Sequence, residues 1–391
     1  MGIPQRLSTR QLEARIEAVS YRGGPTPEGA TFVYSFEAKP DPEAPPAGFI
    51  SGFRGWTREG KQAARAAMDE FAETLDIAFR PARKGEAADL AFYRADDLGG
   101  SAGWGSFRYQ GDDWNGWVAM RSDMSADHPL LMHEIAHALG LKHPGDYGGA
   151  PGPFLSRRED TTDFTVMSYV DGRHDPATLM IYDVAALQAR WGENAQANLG
   201  RTRWTAPDRG ESAVIWDAGG RDAIVHRGPS PAKIDLREGA FSSLGAANDL
   251  AIAYGVTIET AVGGGGDDRL TGNAARNTLK GGGGDDLLRG GGRGDRLAGG
   301  AGADLLDGQG GDDRLKGGGG IDEFRYARGG GADRILDFEA GELVVMARVK
   351  GFGVLEIADA GGDAHVTGKG VDLLLKGVAA AELDAGDFQF V

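Results

Sequence analysis

The chain has 391 residues, enough for two domains that each bury a core, and carries 42 Lys and Arg against 58 Asp and Glu, a formal charge of -16. That acid excess argues against nucleic acid or an anionic membrane as partner, because phosphates would be repelled, and suits hard cations instead. Cys is absent, which excludes disulfides and thiolate metal sites; the opening MGIPQRLSTR offers neither an apolar signal-peptide core nor a myristoylation site, and no run of about 18 apolar residues could span a bilayer.

The first predicted element is a helix to about Val19, opened by the capping box Ser8-Thr9-Arg10-Gln11. TFVYSF, Thr31 to Phe36, reads as a strand, and the Pro-rich DPEAPP behind it as a surface loop. Ala64, Met68, Phe71, Ala72 and Leu75 recur at helical spacing and predict a second helix from Trp56 to Leu75. Short strands follow at Ile77 to Phe79 and Asp89 to Phe92, then a Gly/Trp-rich segment from Gly99 to Met120. A third helix covers Leu130 to Leu141, marked off by Gly140 and stopped by Pro144. A fourth, Ile181 to Trp191, puts Val184, Leu187 and Trp191 on one face. Helices and strands in mixed order predict an α+β domain, and beyond about Trp204 the helices stop.

The third helix carries HExxHxxGxxH. His133 and His137 are four residues apart, so both imidazoles leave one helix face at a separation that a single Zn²⁺ can bridge. Glu134 lies beside them as a general base, and Gly140 lets the chain turn so that His143 can return as a third ligand. Three neutral ligands leave a position open, as a catalytic rather than a structural zinc requires. His128, His174, His226 and His365 fit no ligand position and are expected to be solvated surface residues.

From Gly263 to Arg325 the sequence repeats every nine residues in seven ungapped units, with Asp or Asn at the sixth position and Leu or Phe at the eighth. Glycines permit the tight turn, a strand of about three residues follows, and one apolar side chain per unit points inward. Stacking brings carboxylates together, which calls for a hard cation with oxygen ligands, and calcium fits. The candidate calcium ligands are Gly264, Gly266, Asp268, Gly282, Gly284, Asp286, Asp295, Gly300, Gly302, Asp304, Gly311, Asp313, Gly318, Gly320 and Asp322. Unit two, GNAARNTLK, lacks most of the glycines and the aspartate, so its site should be weak or absent.

HEIAHALGLKHPGDY resembles the zinc signature of the serralysin group of metzincin endopeptidases, which share a C-terminal calcium-loaded β-roll, and the resemblance spans nearly the whole chain. TVMSY, Thr165 to Tyr169, is similar to that family's Met-turn; it implies Met167 as the apolar floor under the histidines and Tyr169 as a displaceable zinc ligand that also stabilises an oxyanion. TLMIYDVAALQARWG resembles the helix after the Met-turn, WDAGGRDAI and AYGVTIETAVGG the lead into the roll, and SAGWGSFRY the edge strand along which a peptide is laid. The implied architecture is an α+β metzincin-type zinc protease domain over 1–205, then an all-β parallel β-roll of the RTX type over 206–391.

The implied activity is that of a zinc metalloendopeptidase hydrolysing internal peptide bonds of extracellular proteins, with one catalytic Zn²⁺ and several structural Ca²⁺. The implied partners are protein or peptide substrates, an ABC-type (type I) secretion apparatus and a small protein inhibitor, with neither nucleic acid nor membrane, for a monomer secreted by a Gram-negative bacterium. The chain closes on DFQFV, as the uncleaved C-terminal signal of that route does. It departs from the family in opening almost directly at the helix that begins the mature enzymes, with no pro-segment, in carrying Gly148 where Asn is usual, and in being only loosely alike beyond Phe338. A calcium-dependent adhesin or surface module and an inactive protease homologue remain as alternatives; the intact zinc motif counts against the first.

Overall fold

In a computed structural model, described over residues 7–21, 29–39, 50–110, 113–147, 152–208 and 210–391, the chain folds as two compact units. The expected loop at 41–46 and Gly148 lie outside the described residues.

The first unit comprises 7–197 and 210–218. Helix α1 (Thr9–Val19) opens at the expected capping box, the Ser8 N–H donating to Gln11 Oε1 at 2.8 Å and the Gln11 N–H to Ser8 Oγ at 3.4 Å. Strands β1 (Ala30–Glu37) and β2 (Ile50–Phe53) precede helix α2 (Arg58–Thr74). That helix is capped by Thr57, so Trp56 falls outside it; its buried indole N–H donates to the Phe92 carbonyl at 3.1 Å. Strands β3 (Ile77–Pro81) and β4 (Leu90–Leu98) follow.

The Gly/Trp-rich segment, in which only SAGWGSFRY was expected to be a strand, is a hairpin of β5 (Gly103–Gln110) and β6 (Asp113–Arg121). The sheet runs β3-β1-β4-β6-β5, with β2 paired to the C-terminal half of β4. Strands β3, β1, β4 and β6 are parallel and β5 is antiparallel; pairing with β6 alone, β5 is an edge strand. Helix α3 (His128–Ala138) packs on this hairpin; Asp127 caps it through the Leu130 N–H, so it starts and ends earlier than the expected Leu130 to Leu141. Helix α4 (Ile181–Trp191) has the expected bounds and packs on α1. The core of the unit gathers Phe71, Phe92, Met120, Leu131, Ile135 and Trp191, each fully buried.

The second described unit holds 198–208 and 219–391 and is almost wholly β-structure. Successive nonapeptides alternate between a seven-stranded and a ten-stranded sheet, so each turn of the roll takes two repeats and parallel neighbours lie 18 residues apart. Leu270, Leu288, Leu306 and Phe324 stack rung on rung in one sheet, and Leu279, Leu297 and Leu315 in the other, each with at most 2% of its surface exposed. The two ladders face inward and form a single apolar filling, the main stabilising term of such a roll.

Candidate metal centre and cleft

Helix α3 lies unusually close to β5. A Cβ on Gly105 would stand 2.1 Å from the Glu134 carbonyl oxygen, and one on Gly103 2.5 Å from Glu134 Oε1, so only glycine permits this approach. The Gly105 backbone N–H is the one group that holds the proton affinity of the Glu134 carboxylate down. Burial pushes that carboxyl up to about 8 against this single favourable contact.

The three motif histidines converge. His133 Nδ1–H donates to the Val166 carbonyl at 2.7 Å and His137 Nδ1–H to the Leu141 carbonyl at 2.9 Å. Those bonds fix the tautomers and turn both Nε2 lone pairs inward. His143 Nε2 lies 3.2 Å from His133 Nε2 and 3.0 Å from His137 Nε2. A proton on His143 could satisfy one of these neighbours but not both, whereas a tetrahedral zinc with Zn–N of about 2.0–2.1 Å separates its ligand nitrogens by about 3.3 Å. The donor set therefore fits zinc. Burial lowers all three imidazole pKa values, His143 to about 4, which keeps them in the neutral form a metal requires. Among the described residues no other group of His, Asp and Glu gathers in this way.

The turn beneath the histidines is held from an unexpected side. Met167 is fully buried, and its N–H donates to Thr165 Oγ1 at 3.1 Å. Asp183, in the first turn of α4 and completely buried, accepts the Thr165 hydroxyl at 2.5 Å, the Val166 N–H at 2.7 Å and the Met180 N–H at 3.0 Å. Burial pushes its carboxyl up to about 7 despite those three donors. The sequence reading passed over Asp183; a lone acid inside the apolar stretch IYDVAALQ was the available signal.

Tyr169 is 62% exposed, and its ring centroid lies 4.3 Å from that of His143 and 5.7 Å from that of His133. It borders a cleft of about 610 Å³ whose walls include Gly103 to Phe107 of β5, Glu134, His137, His143 and Tyr147. The four other histidines are half-buried rather than freely solvated: His128 Nε2 lies 3.3 Å from Glu70, His365 Nε2 2.8 Å from Asp372, His226 Nε2 3.1 Å from the Ser230 carbonyl, and His174 Nδ1 is buried without a partner. The expectation of full solvation for these four is corrected accordingly.

In the roll, the aspartates form ladders at the 18-residue period. Oδ1 of Asp286 accepts the Asp268 N–H at 2.7 Å, Oδ1 of Asp304 the Asp286 N–H at 2.8 Å, and Oδ1 of Asp322 the Asp304 N–H at 2.9 Å. On the other side Asp295 serves Asn277, and Asp313 serves Asp295, each at 2.7 Å. The second oxygen of Asp286, Asp295, Asp304, Asp313 and Asp322 is buried with no hydrogen-bond partner. Such orphaned acceptors cost stability unless a cation meets them.

Two glycine columns, Gly264-Gly282-Gly300-Gly318 and Gly266-Gly284-Gly302-Gly320, stack so tightly that a Cβ on Gly300 or Gly320 would lie 2.0 or 1.9 Å from the carbonyl oxygen 18 residues back. Gly311 stacks likewise on Arg293. These carbonyls and the free carboxylate oxygens are of the type a calcium ion takes. Asp268 differs, because both its oxygens are used, by the Ala232 N–H at 2.6 Å and the Gly264 N–H at 2.6 Å. Asn277 of unit two accepts the Asn273 N–H at 2.8 Å and donates to Asn273 Oδ1 at 3.1 Å, so it leaves nothing for a cation.

Residues 189–348 match the family profile described as the Peptidase M10 serralysin C-terminal domain. Among curated proteins, Serralysin G of Dickeya chrysanthemi is 31% identical over 293 residues, covering 64% of this chain and 61% of the relative. Metallopeptidase AprA of Pseudomonas marginalis is 29% identical over 58% of this chain and 57% of its own, and a serralysin of Proteus mirabilis 37% identical over 38% and 35%. The chain thus spans about three fifths of the length of the first relatives, or less.

Proposed function

The chain belongs to the serralysin family, and from that premise we propose that it is a secreted, calcium-stabilised zinc endopeptidase that hydrolyses internal peptide bonds. The observation that carries the proposal is the convergence of three imidazoles, two of them tautomer-fixed, beside a buried glutamate in an open cleft.

His133, His137 and His143 would hold the zinc. When bound, the ion supplies Lewis acidity toward a water and a carbonyl oxygen, and its charge draws the Glu134 carboxyl down from the value burial alone sets. Glu134 then takes the proton from the attacking water and returns it to the departing amine. The Tyr169 hydroxyl, raised above its ordinary pKa by burial and by Glu134, stays protonated and donates to the developing oxyanion. Strand β5, with one edge paired to β6 and the other facing the cleft, offers backbone groups to an extended peptide.

The orphaned carboxylates of the roll support a calcium-coupled fold, since binding free energy becomes folding free energy where the ion is abundant. That coupling suits export as an unfolded chain through an ABC-type channel. No described helix is long and apolar enough to cross a membrane.

The test is casein zymography with metal analysis. The native chain should clear casein, lose activity with chelator and regain it with zinc, while Glu134→Ala keeps its zinc and is inactive. Proteolysis by a zinc-loaded Glu134→Ala protein would sink the assignment, and a zinc-loaded native chain that cleaves nothing would favour an inactive homologue.

A further inference from the structure

The outer face of the ten-stranded roll sheet carries a straight basic ladder. Arg296, Arg314 and Arg334 are paired rung to rung. Two residues further along the same strands the neighbouring column reads Lys280, Ala298, Lys316. Strand alternation turns Leu279, Leu297, Leu315 and Ile335 into the core and leaves these arginines and lysines exposed. Adjacent strands lie about 4.8 Å apart, so three guanidinium groups leave consecutive rungs. Like charges directly opposite on neighbouring strands destabilise a sheet.

None of these five cations makes an ion pair with a described residue, although the chain as a whole has an excess of acid. The other sheet shows the contrast. There the column that corresponds to Lys280, Ala298 and Lys316 interleaves an acid, Thr271, Arg289, Asp307, Arg325, and the cavity of about 810 Å³ over it sets Glu238 and Asp307 among its arginines.

The arginine ladder borders a groove of about 290 Å³, which Arg276 also lines. Asp295 and Asp313, which also line it, are buried; Asp312 is exposed and accepts the Ala332 N–H at 2.9 Å, so four arginines stand against one exposed carboxylate. We propose that this groove docks a linear acidic polysaccharide, a polyuronate with one carboxylate per sugar, laid parallel to the roll axis. The cations stand in a line, one per rung of about 4.8 Å, a repeat close to the length of one extended sugar. Guanidinium groups pair with carboxylates in two-pronged fashion. The site is concave, so a flat bilayer does not reach its floor. Neither column contains an aromatic side chain on which a nucleobase could stack, which disfavours single-stranded nucleic acid.

The test uses the full calcium-saturated chain and a fluorescent decagalacturonate, followed by anisotropy at several salt concentrations. Binding is expected, and Arg296→Ala/Arg314→Ala/Arg334→Ala should weaken it at least tenfold. The log–log salt slope should drop by roughly two to three, near one per lost contact. The matched control Arg289→Ala/Arg325→Ala on the other sheet should bind as the parent does. A second triple variant, each arginine to lysine, should retain most of the affinity, and melting of the alanine triple at or above the parent temperature excludes unfolding as the cause. The proposal is overturned by no binding to the parent, by binding indifferent to the triple variant, or by tighter ladder-dependent binding to phosphatidylserine vesicles or to a single-stranded oligonucleotide.

Discussion

The Nδ1–H of His133 donates to the Val166 carbonyl at 2.7 Å, and the N–H of that same Val166 is held at 2.7 Å by the buried carboxylate of Asp183. One residue, Val166, therefore links a candidate metal ligand to a buried carboxyl group in α4. Asp183 touches no part of the cleft and acts by positioning the turn that orients His133. Asp183→Asn keeps the shape but sets an amide against backbone donors. The expected result is a zinc affinity lowered about 10- to 100-fold, the usual cost of disturbing a group that orients a ligand. Competitive zinc titration against a chromogenic chelator reads it, and an unchanged zinc affinity in the folded variant would refute the positioning role.

Gly105→Ala tests the closeness of β5 to α3. The added methyl group would meet the Glu134 carbonyl at 2.1 Å, backbone against backbone, so the hairpin must move. A destabilisation of about 1–3 kcal/mol is expected from overpacking, together with loss of most activity because the Gly105 N–H leaves the Glu134 carboxylate. Urea unfolding and a peptide cleavage assay measure the two effects. Full activity would show that the contact does not matter.

What the sequence made legible follows from spacing. HExxHxxGxxH specifies its own geometry, because helix periodicity aligns His133 with His137 and one glycine returns the chain to His143. The nine-residue register similarly predicts inward leucines and converging aspartates, and the buried Leu297 and orphaned Asp304 Oδ2 are both found. Of the β5–β6 hairpin only β5 was legible, through the resemblance of SAGWGSFRY; its glycines weaken strand propensity and are needed only because α3 packs there, a tertiary fact. Asp183 was missed for the same reason, its partners Thr165 and Val166 being distant in sequence.

The calcium-free roll should respond to pH in a defined direction. Burial pushes Asp286, Asp295 and Asp333 up to about 7 and Asp304 and Asp313 up to about 6, against about 3.9 for an unfolded aspartate. A raised folded-state value means that the folded roll holds protons more tightly than the unfolded chain. Its contribution is therefore fully present below about pH 4 and is lost as pH rises through 6 to 7. With chelator present, the urea midpoint of the roll, followed by far-ultraviolet circular dichroism, should fall between pH 5 and pH 8. Millimolar calcium should restore it at pH 8. A midpoint that rises with pH in chelator would contradict this account.

Asp286 and Asn277 occupy the same place in two different repeats. Asp286 has one oxygen engaged by the Asp268 N–H and the other orphaned, whereas Asn277 satisfies itself within its own turn through Asn273. Asp286→Asn keeps the carbonyl oxygen for Asp268 but removes the charge, so calcium binding by calorimetry should show one site weakened at least tenfold. Asn277→Ala instead leaves the Asn273 N–H without its acceptor. It should cost about 1–3 kcal/mol in the calcium-loaded state, the price of an unmet buried donor, with the number of bound ions unchanged. If Asn277→Ala lowered that number, unit two would itself hold calcium, and the link between an orphaned oxygen and an ion would be wrong.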